Sequence, residues 1–286
     1  MNRRLFAFAL AALVTTAAAA QDYPTQPITL ISPNAAGGTN DTLARIFAGP
    51  LSQELGQQVV IENRDGGGTV IGSQIVAESK PDGYTLLVGS NSSHSFAPLT
   101  KPDLAYDPIK DFAPIFNFAN VSNCLVMNAE LGVKSIQELV ALAKSKPGEL
   151  NYSSGGVGTV SHFAGAMFVS YAGIAADTVH IPYNGGANAS VAAAAGEVQF
   201  YVGPLAGNMM GVIDAGKVIA LAVSGDSRVE SLPDVPTFAE AGLPAYTAVG
   251  WFGMMAPAGT PEAIITKINA AANKVAKSPQ VLNALK

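Results

Sequence analysis

The sequence predicts an α/β fold made of two similar units. Short apolar runs alternate with helix-period segments, and glycine-rich turns repeatedly join them. A length of 286 residues at 49% hydrophobic composition supplies core for two domains. With only 13% charged residues the chain falls outside the disordered and fibrous classes. No uninterrupted apolar run reaches the roughly 18 residues that a spanning helix needs.

The first segment reads as a secretory signal peptide. Arg3 and Arg4 form a positive n-region, Leu5 to Val14 an apolar h-region, and Ala18-Ala19-Ala20 a cleavage site before Gln21. Arg3-Arg4-Leu5-Phe6 also brushes a twin-arginine signal. Removing residues 1–20 leaves the formal net charge of −5 two units more negative, with Arg45, Arg64 and Arg228 as the only arginines. That balance argues against nucleic acid or anionic lipid as partner. Cys124 is alone, so no intramolecular disulfide, cysteine zinc site or redox pair can form, and a thiol in an apolar strand reads as a small core residue.

In chain order, Ile28–Ile31 is a buried strand and Asn34–Asp41 a loop. Leu43, Ile46, Phe47, Leu51 and Leu55 make one helix face, with a kink expected at Pro50. Val59–Ile61 is the next strand, followed by the loop Asp65–Thr69, a helix ending near Lys80, and a third strand over Tyr84–Val88. Crossovers of this kind put the strand-end loops on one sheet edge. A second unit begins near Val121. Ser135 and Glu138 form a capping box for a helix carrying Ile136, Leu139, Val140 and Ala143. Leu150–Ser153 is a strand running into a glycine loop, with further strands at Val179–Ile181, Val198–Val202 and Ile219–Val223. Residues 231–246, with Pro233, Pro236, Gly242 and Pro244, read as a surface connection. Trp251–Ala256 is an apolar strand, and Thr260-Pro261 opens a helix bearing Ile264, Ile265, Ile268, Ala272 and Val275.

Chemistry-bearing motifs are few. His94, His162 and His180 are the only histidines, and no H-E-x-x-H, G-x-x-x-x-G-K-S/T or G-x-S-x-G occurs. Gly156-Val157-Gly158-Thr159-Val160-Ser161 puts serine at the third glycine of a dinucleotide fingerprint, so nucleotide binding carries little weight. An exported hydrolase using Ser161, His162 or Ser154 stays open because triads are spatial, although serine beside histidine after a glycine loop is more often a helix N-cap region. The loops Asn34–Asp41 and Ser153–Ser161 both join a strand to a helix. Each points backbone N–H groups and the positive end of a helix dipole at one spot, an anion site made without cationic side chains. Either loop alone is a tight βα turn; two of them favour a carboxylate held between two domains at the strand ends.

Six motifs in order carry a resemblance: Tyr23-Pro24-Thr25-Gln26-Pro27-Ile28, Glu62-Asn63-Arg64, Pro81-Asp82-Gly83-Tyr84-Thr85-Leu86, Tyr106-Asp107-Pro108-Ile109-Lys110-Asp111-Phe112, Leu232-Pro233-Asp234-Val235-Pro236-Thr237 and Ala256-Pro257-Ala258-Gly259-Thr260-Pro261. From Tyr23 onward the chain resembles the periplasmic solute-binding proteins of tripartite tricarboxylate transporters, the TctC or Bug family. The resemblance implies a two-domain, type II periplasmic-binding-protein-like α/β fold that closes like a flytrap, hinged on strands crossing near Asn120 and Trp251. It implies domain one at 21–120 plus 248–286 and domain two at 121–247. The implied protein is a periplasmic monomer, without cofactor or catalysis, that passes a small organic acid to one large and one small integral membrane subunit. A sensory role, presenting ligand to a membrane receptor kinase, is the alternative the sequence leaves open.

For ligand contacts the resemblance implies Ala35, Gly37, Gly38 and Thr39 in the first loop and Ser154, Gly156, Gly158, Thr159 and Ser161 in the second. His162 is expected to orient the loop and Asp41 to serve as a dipole or capping partner, or else to receive a ligand amine. Asn34, Asn91, Val157, Tyr183, Gly203 and Pro204 complete the candidate set. Family patterns differ at several of these places: usually an aromatic residue stands at Asn34, proline at Ala36, a polar residue at Val157, lysine at Asn184 and often aspartate at Gly203, and Thr69-Val70 replaces a common Gly-Asn. These departures suggest a less charged or bulkier carboxylate, an aromatic acid among them, with Gly203-Pro204 making room. Family members generally continue with another strand and a terminal helix, so the chain is expected to be C-terminally truncated.

Overall fold

The computed structural model describes residues 23–285, so the expected signal peptide lies outside the described residues. The elements run β1 (Ile28–Ser32), α1 (Thr39–Leu55), β2 (Val59–Asn63), α2 (Val70–Ala77), β3 (Thr85–Ser90), a π-helical turn (Ser92–Phe96), α3 (Ala97–Thr100) and β4 (Phe112–Asn128). Then follow α4 (Ile136–Ser145), β5 (Leu150–Ser154), α5 (Val160–Tyr171), β6 (Thr178–Pro182), α6 (Gly186–Ala195), β7 (Phe200–Pro204), α7 (Met209–Asp214), β8 (Val218–Val223), β9 (Val249–Pro257), α8 (Glu262–Ala276) and α9 (Pro279–Ala284).

β1 lies between β2 and β3 in parallel register, and β3 continues antiparallel to β9, which pairs with β4. A second sheet repeats the plan, with β5 parallel to both β6 and β7, and β7 and β8 antiparallel to β4. The apolar side chains divide accordingly. Ile28, Leu30, Phe47, Leu86, Phe118, Phe252 and Ile268 pack in lobe one, and Leu125, Leu139, Phe168, Phe200 and Phe238 in lobe two. β4 belongs to both lobes: Asn120, Val121 and Ser122 face Trp251, Gly250 and Val249, and from Asn123 onward the strand pairs with β7.

Several sequence readings change in detail. α1 starts at Thr39, inside the expected Asn34–Asp41 loop, because Gly38 takes the extended N-cap conformation (φ −76°, ψ 171°). Pro261 is the N-cap of α8 rather than its first residue. In the capping box, the Ser135 hydroxyl accepts from the Glu138 N–H at 3.2 Å, while the Glu138 carboxylate reaches the Lys134 N–H at 2.7 Å. β4 is one long strand, masked in the sequence because bulges between Pro114 and Phe116 and between Asn117 and Ala119 reset its alternation. Residues 231–246 are more than a surface connection. Phe238 and Tyr246 are buried with ring centroids 4.0 Å apart, and the Tyr246 hydroxyl donates to the Ala164 carbonyl at 3.1 Å. Proline and glycine shape that backbone, while the two aromatics anchor it.

Candidate functional site

In the first loop, the Asp41 carboxylate accepts from the Gly37 N–H at 2.9 Å, from Asn63 Nδ2 at 3.0 Å and from Arg45 Nε at 3.0 Å. Burial pushes its pKa up, but the Arg45, Gly37 and Asn63 hydrogen bonds outweigh that and hold it below the usual carboxylate range. The carboxylate is thus spent on shaping the loop at the start of α1. Asn34 Nδ2 donates to Asn40 Oδ1 at 2.6 Å and Asn40 Nδ2 to the Val88 carbonyl at 2.8 Å, tying loop and helix to β3.

The second loop is braced by hydroxyls and imidazoles. Thr159, the N-cap of α5, accepts from the His162 N–H at 3.3 Å and donates to the Gly156 carbonyl at 2.7 Å. Ser161 Oγ accepts from the Gly155 N–H at 2.9 Å, and Ser154 Oγ from the Gly156 N–H at 3.1 Å. Behind them His180 Nε2 meets Ser154 Oγ at 2.7 Å, and His162 Nδ1 accepts from the Gly158 N–H at 3.3 Å. The two rings lie 4.6 Å apart. Burial, then the proximity of His162, pushes His180 down to about 4, and burial lowers His162, so both stay neutral at pH 7. Ser161 and His162 make no hydrogen bond to each other, and Ser154, which meets His180 instead, is fully buried, so the alternative Ser161–His162 hydrolase pair is not assembled.

Between the loops lies a cavity of about 40 Å³, room for roughly three water molecules. The N-termini of three helices border it: Gly38 and Thr39 of α1, Thr159 to Ser161 of α5, and Gly186 of α6. First-turn N–H groups have no acceptor within their own helix, and the dipoles add partial positive charge. Among the described residues no charged side chain lines the cavity. Its border is backbone together with neutral polar and apolar side chains. A larger hollow of about 640 Å³ at the lobe junction, against Ile46, Asn120, Leu205 and Leu285, contains none of the loop residues 34–41 or 153–161.

Of the residues singled out from sequence, Asn34, Gly38, Thr39, Thr159, Ser161 and Pro204 border the cavity. Ala35, Gly37, Asp41, Ser154, Gly156, Gly158 and His162 form the loops behind it. Four sit elsewhere. Asn91 Oδ1 accepts from the Trp251 N–H at 2.6 Å, fastening β3 to β9. Tyr183 donates to Glu197 at 3.0 Å on the surface. The Val157 side chain is exposed. Gly203 makes no room for ligand, because the Tyr201 phenol on the same strand face fills the space where its side chain would be. Sequence reasoning missed Ser92, Gly186, Tyr201 and Phe252, which border the cavity. Gly185-Gly186 after β6 repeats the strand, glycine pair, helix order of the other loops and was the available signal.

The lobes meet around this cavity. Ser92 Oγ of lobe one accepts from the Val160 N–H of lobe two at 2.9 Å, and Asn184 Nδ2 donates to Asp65 at 2.8 Å. Phe96 stacks on Phe163 with centroids 4.0 Å apart. A Cβ on Gly68 would stand 2.5 Å from the Val157 carbonyl oxygen, so the closed contact needs glycine there.

Two α/β lobes on a shared strand, closed over a charge-free cavity at helix N-termini, define a solute-binding protein of the periplasmic type. Residues 43–286 match the family described as tripartite tricarboxylate transporter family receptor, and the chain belongs to that family. It is 35% identical to Protein BugT of Bordetella pertussis, covering 97% of this chain and 84% of that one. Among solved structures it is similar to the periplasmic binding protein BugD (TM-score 0.87, 32% identity, 92% and 87% of the two chains). It is also similar to an R. palustris protein with adipate (0.86, 35%, 90% and 85%) and to MatC of Rhodopseudomonas palustris with bound malate (0.86, 33%, 92% and 88%). The family and its structural neighbours are substrate-binding proteins, not enzymes.

Proposed function

We propose that the protein is exported by its N-terminal signal, captures a small carboxylate between its lobes in the periplasm, and delivers it to a permease of one large and one small integral membrane subunit. The lobes in this reading are residues 21–120 plus 248–286, and 121–247. The observation that carries it is the convergence of three helix N-termini on one cavity free of charged side chains. Relatives of similar build hold adipate and malate. The phenol over Gly203 takes up the space there that the sequence suggested for an aromatic acid. A dissociation constant of about 1 µM needs about −8 kcal/mol, within reach of several buried hydrogen bonds to a carboxylate.

Calorimetric titration with malate, succinate, adipate and benzoate tests the reading. One-to-one binding of an aliphatic acid at micromolar concentration is expected, with a change in Trp251 fluorescence on closure. No binding of any of the four would refute it.

A further inference from the structure

Tyr201 has no role in the two loops described so far, yet it borders the cavity between them. The residue is the second of β7, paired with Val126 of β4 and Ser153 of β5, and is 3% exposed. Its ring runs along the strand over Gly203, where any Cβ would collide with the phenol oxygen and its ring carbon. The same oxygen lies 3.0 Å from where a Cβ would stand on Gly186, the first residue of α6. Tyr201 therefore borders the cavity at the point where α6 begins, facing Ser161 and Pro204.

Burial pushes the phenol up to about 12, with the Ser161 hydroxyl pulling the other way, so at neutral pH it carries its proton. Ser161 Oγ already accepts from the Gly155 N–H and shares a contact with Thr159 Oγ1 at 3.2 Å. A neutral donor is thus placed among helix N-termini that supply only further donors. The chemistry that completes such a set is an oxygen-rich anion able to accept from all of them.

We propose that Tyr201 is a specificity-determining residue: its phenol donates a hydrogen bond to an oxygen of the bound acid, selecting acids that place an oxygen there over analogues that place a methylene or methyl group. This rests on the carboxylate-binding reading above. A site with a buried donor rejects a ligand lacking the matching acceptor far more strongly than one that is merely a poor fit.

The test compares wild type, Tyr201→Phe and Gly203→Ala by calorimetry with malate, succinate and adipate, and with butyrate and hexanoate as analogues lacking one carboxylate. Tyr201→Phe is expected to weaken the best-bound diacid about tenfold to a hundredfold and to shrink the preference for diacid over monoacid. Gly203→Ala, which keeps the phenol but displaces it, is expected to act in the same direction. The melting temperature without ligand reads any structural effect separately. Tyr201→Phe binding the diacid within twofold of wild type, with selectivity unchanged, overturns the assignment while leaving the carboxylate reading intact. Failure of wild type to bind any of the five acids overturns both.

Discussion

Asp41 accepts from the Gly37 N–H, Asn63 and Arg45, all within lobe one. An acidic side chain next to the proposed anion site would repel a ligand if its charge were free; here cation and donors neutralise it locally while it fixes the loop. Asp41→Ala strips the partner from the Gly37 N–H and one of the two acceptors from Asn63 Nδ2, and urea denaturation is expected to show a loss of about 1–3 kcal/mol. The sign of the pH effect follows from the lowered folded-state pKa. Asp41 stabilises the fold above the unfolded carboxylate pKa of about 4, and that contribution fades as the pH falls through the lower folded value. His180 acts in a higher window. Its pKa drops from 6.5 in the unfolded chain to about 4 in the fold, so between those values the unfolded chain binds the extra proton and stability falls with acidification. His94, also pushed by burial to about 4, contributes in the same window. Melting temperature measured from pH 7.5 to 4.5 should therefore decline, and His180→Gln, which keeps a partner for Ser154 without a titrating group, should make the decline shallower.

The loop between β2 and α2 brings Gly68 of lobe one against the Val157 carbonyl of lobe two. Gly68→Ala is expected to weaken acid binding at least tenfold in fluorescence titration, since closure would require a backbone shift. Gly56→Ala, also at positive φ (72°) but with open space beside it, should cost about 1 kcal/mol of stability and leave affinity unchanged. At this scale the sequence was readable wherever local patterning coincided with tertiary position. β1, β5 and β6 are short apolar or alternating runs, and the α1 and α5 loops carry glycines at strand ends. β4 escaped because its bulges break alternation, and α6 because Gly-Ala-Asn-Ala-Ser-Val-Ala-Ala-Ala-Ala has no distinct apolar face. The site was legible in its glycine loops and opaque in its walls. Tyr201 and Phe252 look like any buried strand residue, and Ser92 serves a helix of the other lobe, a relation that no local window contains.

Across the whole molecule, low charge becomes a binding strategy. With no cationic side chain among the described residues bordering the cavity, the proposed function draws its affinity from backbone N–H groups and hydroxyls in a closed space that salt screens poorly. Raising sodium chloride from 20 to 500 mM is expected to change the dissociation constant of the bound acid by less than about threefold; a tenfold loss would show that a surface cation carries the binding. Closure has a mechanical side as well. β4 is hydrogen-bonded to β9 as far as Ser122 and to β7 and β8 from there on, with Asn123 also donating to the Ala248 carbonyl at 2.8 Å. The lobes are therefore not beads on a free linker. Opening must be torsion within one continuous ribbon, whose two ends are clamped in different sheets. The same ribbon makes the receptor a single genetic unit, because a cut near Val121 deprives each half of part of the strand that its sheet is assembled on.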